Sequence, residues 1–329
     1  MKQLSIIVPV YQVERYIRAC MESIFRQGLN DDVFEVIIVN DGTKDRSMEM
    51  IQDIIAMHDN ITVIHQENLS LSVARNNGIA AAQGEYILMP DSDDLLVENS
   101  LKVLLDKALE TKADLVVADF LEMDDEEIAA FQSPVQTSFV MKEKNGKQLL
   151  LEDYNPYQSY VWRTLYRRAF LEDNHIKFYP GIRFQDVPFT HECYLKAGKC
   201  IRTSWLLNIY RVGHESATYS FSKQKAKEFC IAIAETWKLH TWEGHEPKTL
   251  QKLQDDVFVS FSHLTTIISY SIKNSSDRAE IIDHLRQLAP DMTFTNGFKQ
   301  RAVSMFYRTL PHCYIHLHYY GRQLKKLLK

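Results

Sequence analysis

The first 120 residues alternate between two hydrophobic periods, and this alternation restricts the fold more than any other feature of the chain. Leu4–Val10 is a continuous apolar run rich in β-branched residues, the pattern of a strand buried on both faces. Tyr16, Ile17, Cys20, Ile24 and Phe25 then recur at helical spacing. Residues 34–39, 61–64, 86–89 and 114–120 read as further strands. Between them lie helical stripes through Met48, Ile51 and Ile55, through residues 71–82 up to Gly84, and through Leu101, Leu104, Leu105, Ala108 and Leu109. Strands separated by helices imply right-handed crossovers and a mostly parallel α/β sheet flanked by helices. Ligands of such sheets sit outside the carboxyl ends of the strands. The loops at 9–14, 40–45 and 90–95 are therefore the ones to search for chemistry.

Composition narrows the class. The chain has 329 residues, 45% of them hydrophobic, which supports a sizeable core. Five cysteines (20, 193, 200, 230 and 313) are an odd number without paired spacing, so neither a disulfide framework nor a cysteine zinc site is expected. No run approaches the roughly 18 apolar residues of a membrane span, and the short apolar start is followed at once by Glu14 and Arg15. These features predict a cytoplasmic protein. A net charge of −5 gives no pull toward nucleic acid.

Beyond residue 120 the rhythm changes. The acidic run at Glu122, Asp124, Asp125, Glu126 and Glu127, with the Asn145-Gly146 turn signal, predicts a solvated loop or hairpin insertion over 122–147. Residues 155–219 are rich in aromatics, with a strand near 203–210, and from Lys223 onward the pattern is helical. Two divisions follow: an α/β domain over 1–219 and a helical extension over 220–329.

Asp91-Ser92-Asp93-Asp94 follows a buried strand. Alternate carboxylates at a strand's carboxyl end can offer hard oxygen ligands to one Mg²⁺ or Mn²⁺, which then shares phosphate oxygens and water. Capping of a helix that starts at Leu95 by Asp93 or Asp94 is the plainer alternative. Asp41, in the loop Asn40-Asp41-Gly42-Thr43-Lys44-Asp45, can accept hydrogen bonds from a base or ribose, or simply make the turn.

Taken together, four segments carry a resemblance. Ser5-Ile6-Ile7-Val8-Pro9-Val10-Tyr11, Val36-Ile37-Ile38-Val39-Asn40-Asp41-Gly42-Thr43-Lys44-Asp45, Ala74-Arg75-Asn76-Asn77-Gly78-Ile79, and Gly84-Glu85-Tyr86-Ile87 running into the Asp91 loop are similar to the inverting family 2 glycosyltransferases of GT-A fold. A weaker match continues through 161–168, 184–189 and 210–216. The resemblance implies a Rossmann-like GT-A domain that uses a nucleotide-sugar, with UDP as the expected nucleotide. It also implies a saccharide or lipid-linked glycan acceptor, as in surface polysaccharide biosynthesis. Pro9, Tyr11 and Glu14 would surround the base and ribose, Asp41 and Arg75 would face the base, and Ser92 would join these contacts. Asp93 would ligate Mn²⁺ or Mg²⁺, with Asp91 helping to hold ribose and metal and His214 approaching metal or diphosphate. Trp162 would line the sugar or acceptor pocket, and Asp186 would be the catalytic base.

Three positions depart from the family pattern. Gln185 replaces a usual Glu beside Asp186. Residues 67–72 replace a glycine-rich stretch. Arg163 and Thr164 stand where Asn and Lys are frequent. A catalytically impaired saccharide- or nucleotide-binding protein is therefore the alternative, and a phosphotransferase a more distant one. Other motifs fail: Val39 occupies the nucleophile position of a haloacid-dehalogenase-like loop, Leu195 the second histidine position of a zincin, and no GxGxxG follows the first strand. His312, His316 and His318 read as part of a packed helix rather than a metal site.

The tail at 292–329 has seven Lys or Arg and no acid, so it carries +7 against −12 for the rest. Leu317, Tyr320, Leu324, Leu327 and Leu328 share a helical face with Arg322, Lys325, Lys326 and Lys329 off it. Such a helix can lie on an anionic inner leaflet or dock on the catalytic domain; a lipid-linked acceptor favours the membrane.

Overall fold

The computed structural model describes residues 2–137, 139–213 and 221–327. The chain forms two compact units, the first made of Met1–Leu149, Tyr160–Gly181 and Cys193–His214. Its strands are β1 (Leu4–Val10), β2 (Phe34–Asp41), β3 (Ile61–Gln66), β4 (Tyr86–Leu88), β5 (Leu95–Leu96), β6 (Leu115–Met123), β7 (Met141–Lys144), β8 (Thr164–Arg167) and β9 (Cys200–Arg211). They build one sheet in the order β3-β2-β1-β4-β8-β6-β9-β5, with β7 also paired to β9. The pairs β1–β2, β1–β4, β2–β3 and β6–β9 are parallel. β8 runs antiparallel to both β4 and β6, which turns the α/β core into a mixed sheet.

Burial explains why these runs are strands. Every residue of β1 is buried, as two-sided helical cover requires. Leu4, Ile6, Val8 and Val10 pack with Ile17, Met21 and Ile24 of the helix Ile17–Phe25 and with Leu101, Leu104 and Leu105 of the helix Leu101–Thr111. At Gly84 an added Cβ would lie 2.4 Å from the Ser5 backbone nitrogen, so only glycine admits the close approach that starts β4. Because β1, β2 and β4 are parallel, the loops after all three open at one edge.

The segment at 122–147 differs from expectation. β6 runs on to Met123, and Asp124 then caps a helix, Asp125–Ala130, through a reciprocal capping box with Glu127. The acidic run is thus a helix start, where carboxylates meet the positive end of the helix dipole. β7 follows as an edge strand on β9.

The second unit comprises Leu150–Ser159, Ile182–Glu192 and Glu215–Lys329. The helices Lys223–Lys238, Pro247–Ser271, Ser275–Leu288, Gly297–Thr309 and Pro311–Leu327 surround their own core of Phe229, Ile233, Trp237, Val257, Phe261, Leu264, Ile281, Phe294 and Tyr307. This division passes close to residue 219 but also assigns 182–192 to the helical unit, so Asp186 lies there.

Candidate functional site

At the carboxyl end of β4, Asp91, Asp93 and Asp94 converge, with one carboxylate oxygen from each lying within 4.8 Å of the others. Three negative groups this close repel one another, so the loop must be held. Arg75, from the helix Leu71–Ala81 and only 2% exposed, pairs with the Asp91 carboxylate. Arg211, at the end of β9, holds the other side. Its amide donates to Asp94 Oδ1 at 2.8 Å and its Nε to the Asp93 carbonyl at 2.8 Å, while its guanidinium pairs with Asp125. The same guanidinium sits 4.8 Å over the Tyr16 ring. The Cys20 thiol donates to the Asp91 carbonyl at 3.6 Å.

The electrostatics reflect incomplete compensation. Burial pushes Asp91 upward, and the Asp93 charge adds to this against the opposing pull of Arg75. Burial, then Asp93 and Asp91, raise Asp94 well above the usual carboxylate range. Asp94 Oδ2 is buried with no hydrogen-bond partner among the described residues. A hard divalent cation suits this donor set: oxygen ligands, excess negative charge and one unsatisfied buried oxygen.

The neighbouring loops are cross-braced. Gln12 donates its amide to Thr43 Oγ1 at 2.8 Å, Val13 to Ser47 Oγ at 2.9 Å and Glu14 to Asp45 Oδ2 at 3.0 Å. The Glu14 carboxylate accepts from the Arg46 amide at 3.0 Å. Glu14 thus binds the 40s loop, while Tyr11 is exposed beside it and Pro9 is buried in β1. Asp41 is 4% exposed and accepts from Gln66 Nε2 at 2.7 Å, the Leu69 amide at 2.8 Å and the Ser70 amide at 3.1 Å. In this structure its oxygens organise the 66–70 loop. The hydroxyls of Ser70 and Ser72 accept from the Gly181 amide, at 3.2 and 3.0 Å.

Trp162 is 2% exposed, within an aromatic cluster. Tyr160 stacks on it at 4.7 Å, Tyr210 at 5.6 Å, and Phe120 meets it edge-on at 5.0 Å. Tyr160, Tyr210 and Phe120 are partly exposed, whereas Trp162 is enclosed among them. Arg163 donates to the Ala118 carbonyl at 2.8 Å and pairs with Asp119 at 3.1 Å. Ser92 is buried in the Asp91 loop, and His214 lies outside the described residues.

In the helical unit, Asp186 begins the helix Asp186–Lys196. Two residues before it, Phe184 has φ +59, a strained conformation for an aromatic residue. Gln185 is 4% exposed and its Oε1 has no hydrogen-bond partner among the described residues. Asp186 lines a cavity shared with Tyr157, Ser159, Phe229, Ser260 and His263. Behind it, buried His191 bonds the Val187 carbonyl at 2.8 Å and Asp256 at 3.2 Å, and Asp256 pairs with Lys252 at 2.6 Å.

A family model described as glycosyl transferase family 2 matches residues 5–174. The chain belongs to that family. EpsJ of Bacillus subtilis (strain 168), named an uncharacterized glycosyltransferase, is 37% identical over 217 residues, 65% of this chain and 62% of that protein. EpsH of the same organism, a putative glycosyltransferase by name, is 26% identical over 316 residues, 92% of this chain and 88% of its own length. The structure of S. aureus TarS 1–349 in complex with UDP-GlcNAc superposes with a TM-score of 0.74 at 20% identity, covering 98% of this chain and 92% of that one. The fold is therefore GT-A with a helical C-terminal region, as the motif order implied.

The geometry also holds features that no local motif signals. Arg211 was part of a matched segment, yet its grip on the Asp91 loop depends on β9 ending beside that loop. Tyr160, Tyr210 and Phe120 come from three segments that no spacing rule joins. Asp45, whose carboxylate ties the 9–14 loop to its own 40–47 loop, lay inside the 40–45 stretch without an assigned role.

Proposed function

We propose that this family 2 member transfers a sugar with inversion from a nucleotide-sugar, of which UDP-sugars are the first to test, to a saccharide or lipid-linked glycan of a surface polysaccharide. The observation that carries the reading is the Asp91, Asp93 and Asp94 cluster, held by Arg75 and Arg211 with a buried carboxylate oxygen left over. Its donor chemistry matches a divalent cation and, through it, a diphosphate. The complex of TarS with UDP-GlcNAc, a protein of the same fold, supports a nucleotide-sugar as donor.

In this reading Asp91, Asp93 and Asp94 would hold Mn²⁺ or Mg²⁺, and the chemistry such an ion would supply is Lewis-acid compensation of the charge on a departing diphosphate. Arg75 orients the Asp91 carboxylate and opposes the upward push of burial on it. The carboxylate of Asp186 accepts the proton of the acceptor hydroxyl as that oxygen bonds to the anomeric carbon. The carbon–oxygen bond to the nucleoside diphosphate breaks on the opposite face, and its electron pair leaves with the diphosphate. One displacement inverts the anomeric centre. With Gln185 beside it instead of Glu, Asp186 has no second carboxylate as its chain neighbour. The reading also includes an anionic inner membrane surface as a partner of residues 292–329.

A thermal-shift screen of nucleoside-diphosphate sugars, with and without Mn²⁺, tests the donor, because ligands of the native state raise its apparent stability. Stabilisation by at least one such donor, enhanced by Mn²⁺, is expected; none would refute the reading. Asp186→Ala should retain this stabilisation while transfer falls about 10²- to 10⁴-fold. Donor binding without turnover on any acceptor would instead identify a catalytically impaired nucleotide-sugar-binding protein.

A further inference from the structure

The helix Gly297–Thr309 has a sharply divided surface. Gln300, Val303, Ser304 and Tyr307 form its buried face. On the opposite side Phe298, Arg301, Met305 and Arg308 recur at i, i+3, i+7 and i+10, so they form one outward stripe. Phe298 is 90% exposed and Met305 57%. Leu310, the single residue before the helix Pro311–Leu327, is 53% exposed, and Leu317 and Tyr320 on that helix are 65% and 59% exposed. Exposed apolar residues scattered singly need no explanation. Five of them within 23 residues, interleaved with cations, do.

From this stripe we infer a docking surface for an anionic lipid bilayer, with Phe298, Met305, Leu310, Leu317 and Tyr320 entering the interface and Arg301 and Arg308 meeting the headgroup phosphates. This deepens the membrane contact included in the reading above and rests on it for the choice of partner. Charge selects the occupant. Arg301 and Arg308 form no ion pair among the described residues, and residues 292–329 contain no acid to neutralise them. A second copy of this chain would set the same basic surface against itself, with like charges facing across an isologous contact. An anionic bilayer accepts apolar side chains and arginines together. No helix among the described residues is long and apolar enough to cross a membrane, so the contact lies in the interface plane.

Co-sedimentation of the full chain with phosphatidylcholine vesicles, with or without phosphatidylglycerol, tests the inference. Pelleting is expected only with phosphatidylglycerol. The double variant Phe298→Ser/Met305→Ser should lower the bound-to-free ratio at least about tenfold. Arg301→Gln/Arg308→Gln should lower it by a similar factor and weaken its salt dependence, at about fivefold per arginine. All four side chains are exposed, so thermal midpoints should hold, and stabilisation by nucleotide-sugars should persist in both variants. That last readout separates the membrane inference from the transferase reading. Wild type that ignores phosphatidylglycerol vesicles, or variants that pellet as well as wild type, would overturn it. So would a lipid-free sedimentation coefficient that falls in Phe298→Ser/Met305→Ser, which would identify the stripe as a self-association surface.

Discussion

Asp41 and Asp45 illustrate how far single residues in this site serve the loops before they serve a ligand. Asp41 gathers three donors from residues 66–70. Asp41→Ala leaves the partly buried Leu69 and Ser70 amides and the Gln66 side chain without their acceptor and should cost about 1–3 kcal/mol of stability in urea denaturation, alongside weaker nucleotide affinity. Unchanged stability would show that the loop does not depend on this carboxylate. For Asp45, burial is an upward influence, but hydrogen bonds from the Ser47 and Thr43 hydroxyls and the Ser47 and Glu14 amides hold the carboxyl below its ordinary range. Its folded pKa therefore lies beneath the unfolded value of about 3.9. The stability it contributes is complete above that value and is lost as pH falls through the folded one. Asp45→Asn should be less stable than wild type near neutral pH, and the two thermal midpoints should converge in acid; a constant gap would remove the electrostatic account. The acidic pair Asp91 and Asp93 was legible because strand, loop and alternate carboxylates are local signals. Arg211 was not, because it meets that loop from 117 residues away through sheet pairing.

Elements were legible wherever a hydrophobic period persisted for a turn or several strand residues. β1 spans the expected residues, and β2, β3 and β6 have the expected cores with ends moved by a few residues. β5 and β8, two and four residues long, are too short for a period to register and exist through their neighbours. The acidic run at 122–127 was misjudged because a cap and a solvated loop share composition; what separates them is the reciprocal bonding of Asp124 and Glu127. The helix Leu71–Ala81 shows the value of a small residue in the right place. An added Cβ at Gly78 would lie 2.3 Å from Ile7 Cγ2 of β1. Gly78→Ala should therefore push the helix off the sheet, costing about 1–3 kcal/mol by overpacking despite the better helix propensity of Ala. Arg75 and Asn76 ride on the same helix, so donor affinity should fall with stability. Equal or greater stability in denaturant titrations would mean that Ile7 can rotate away.

At the scale of the whole molecule, the division into two units was only partly readable. Composition marked the change from sheet to helices, but nothing local signalled that 150–159 and 182–192 would join a unit whose bulk lies beyond 214. Ile182 and Phe184 pack into the helical core with Phe229, Tyr157 meets the His263 ring, and Asp186 thereby moves from the sheet unit to the helical one. The two units also divide the proposed tasks. The first offers the carboxylate cluster and its braced loops, and the second offers Asp186 and the basic apolar stripe. Hydrogen exchange can test this division directly. A nucleoside-diphosphate sugar with Mn²⁺ should slow exchange in residues 40–47, 66–76 and 89–95, whose amides are ordered by the loops that would contact it, and leave 297–321 unchanged. Phosphatidylglycerol vesicles should do the reverse, since interfacial burial shields the outward stripe without touching the carboxylate loops. Protection of 297–321 by the soluble donor alone would mean that the two surfaces share a cooperative unit, and the assignment of donor and membrane to separate units would fail.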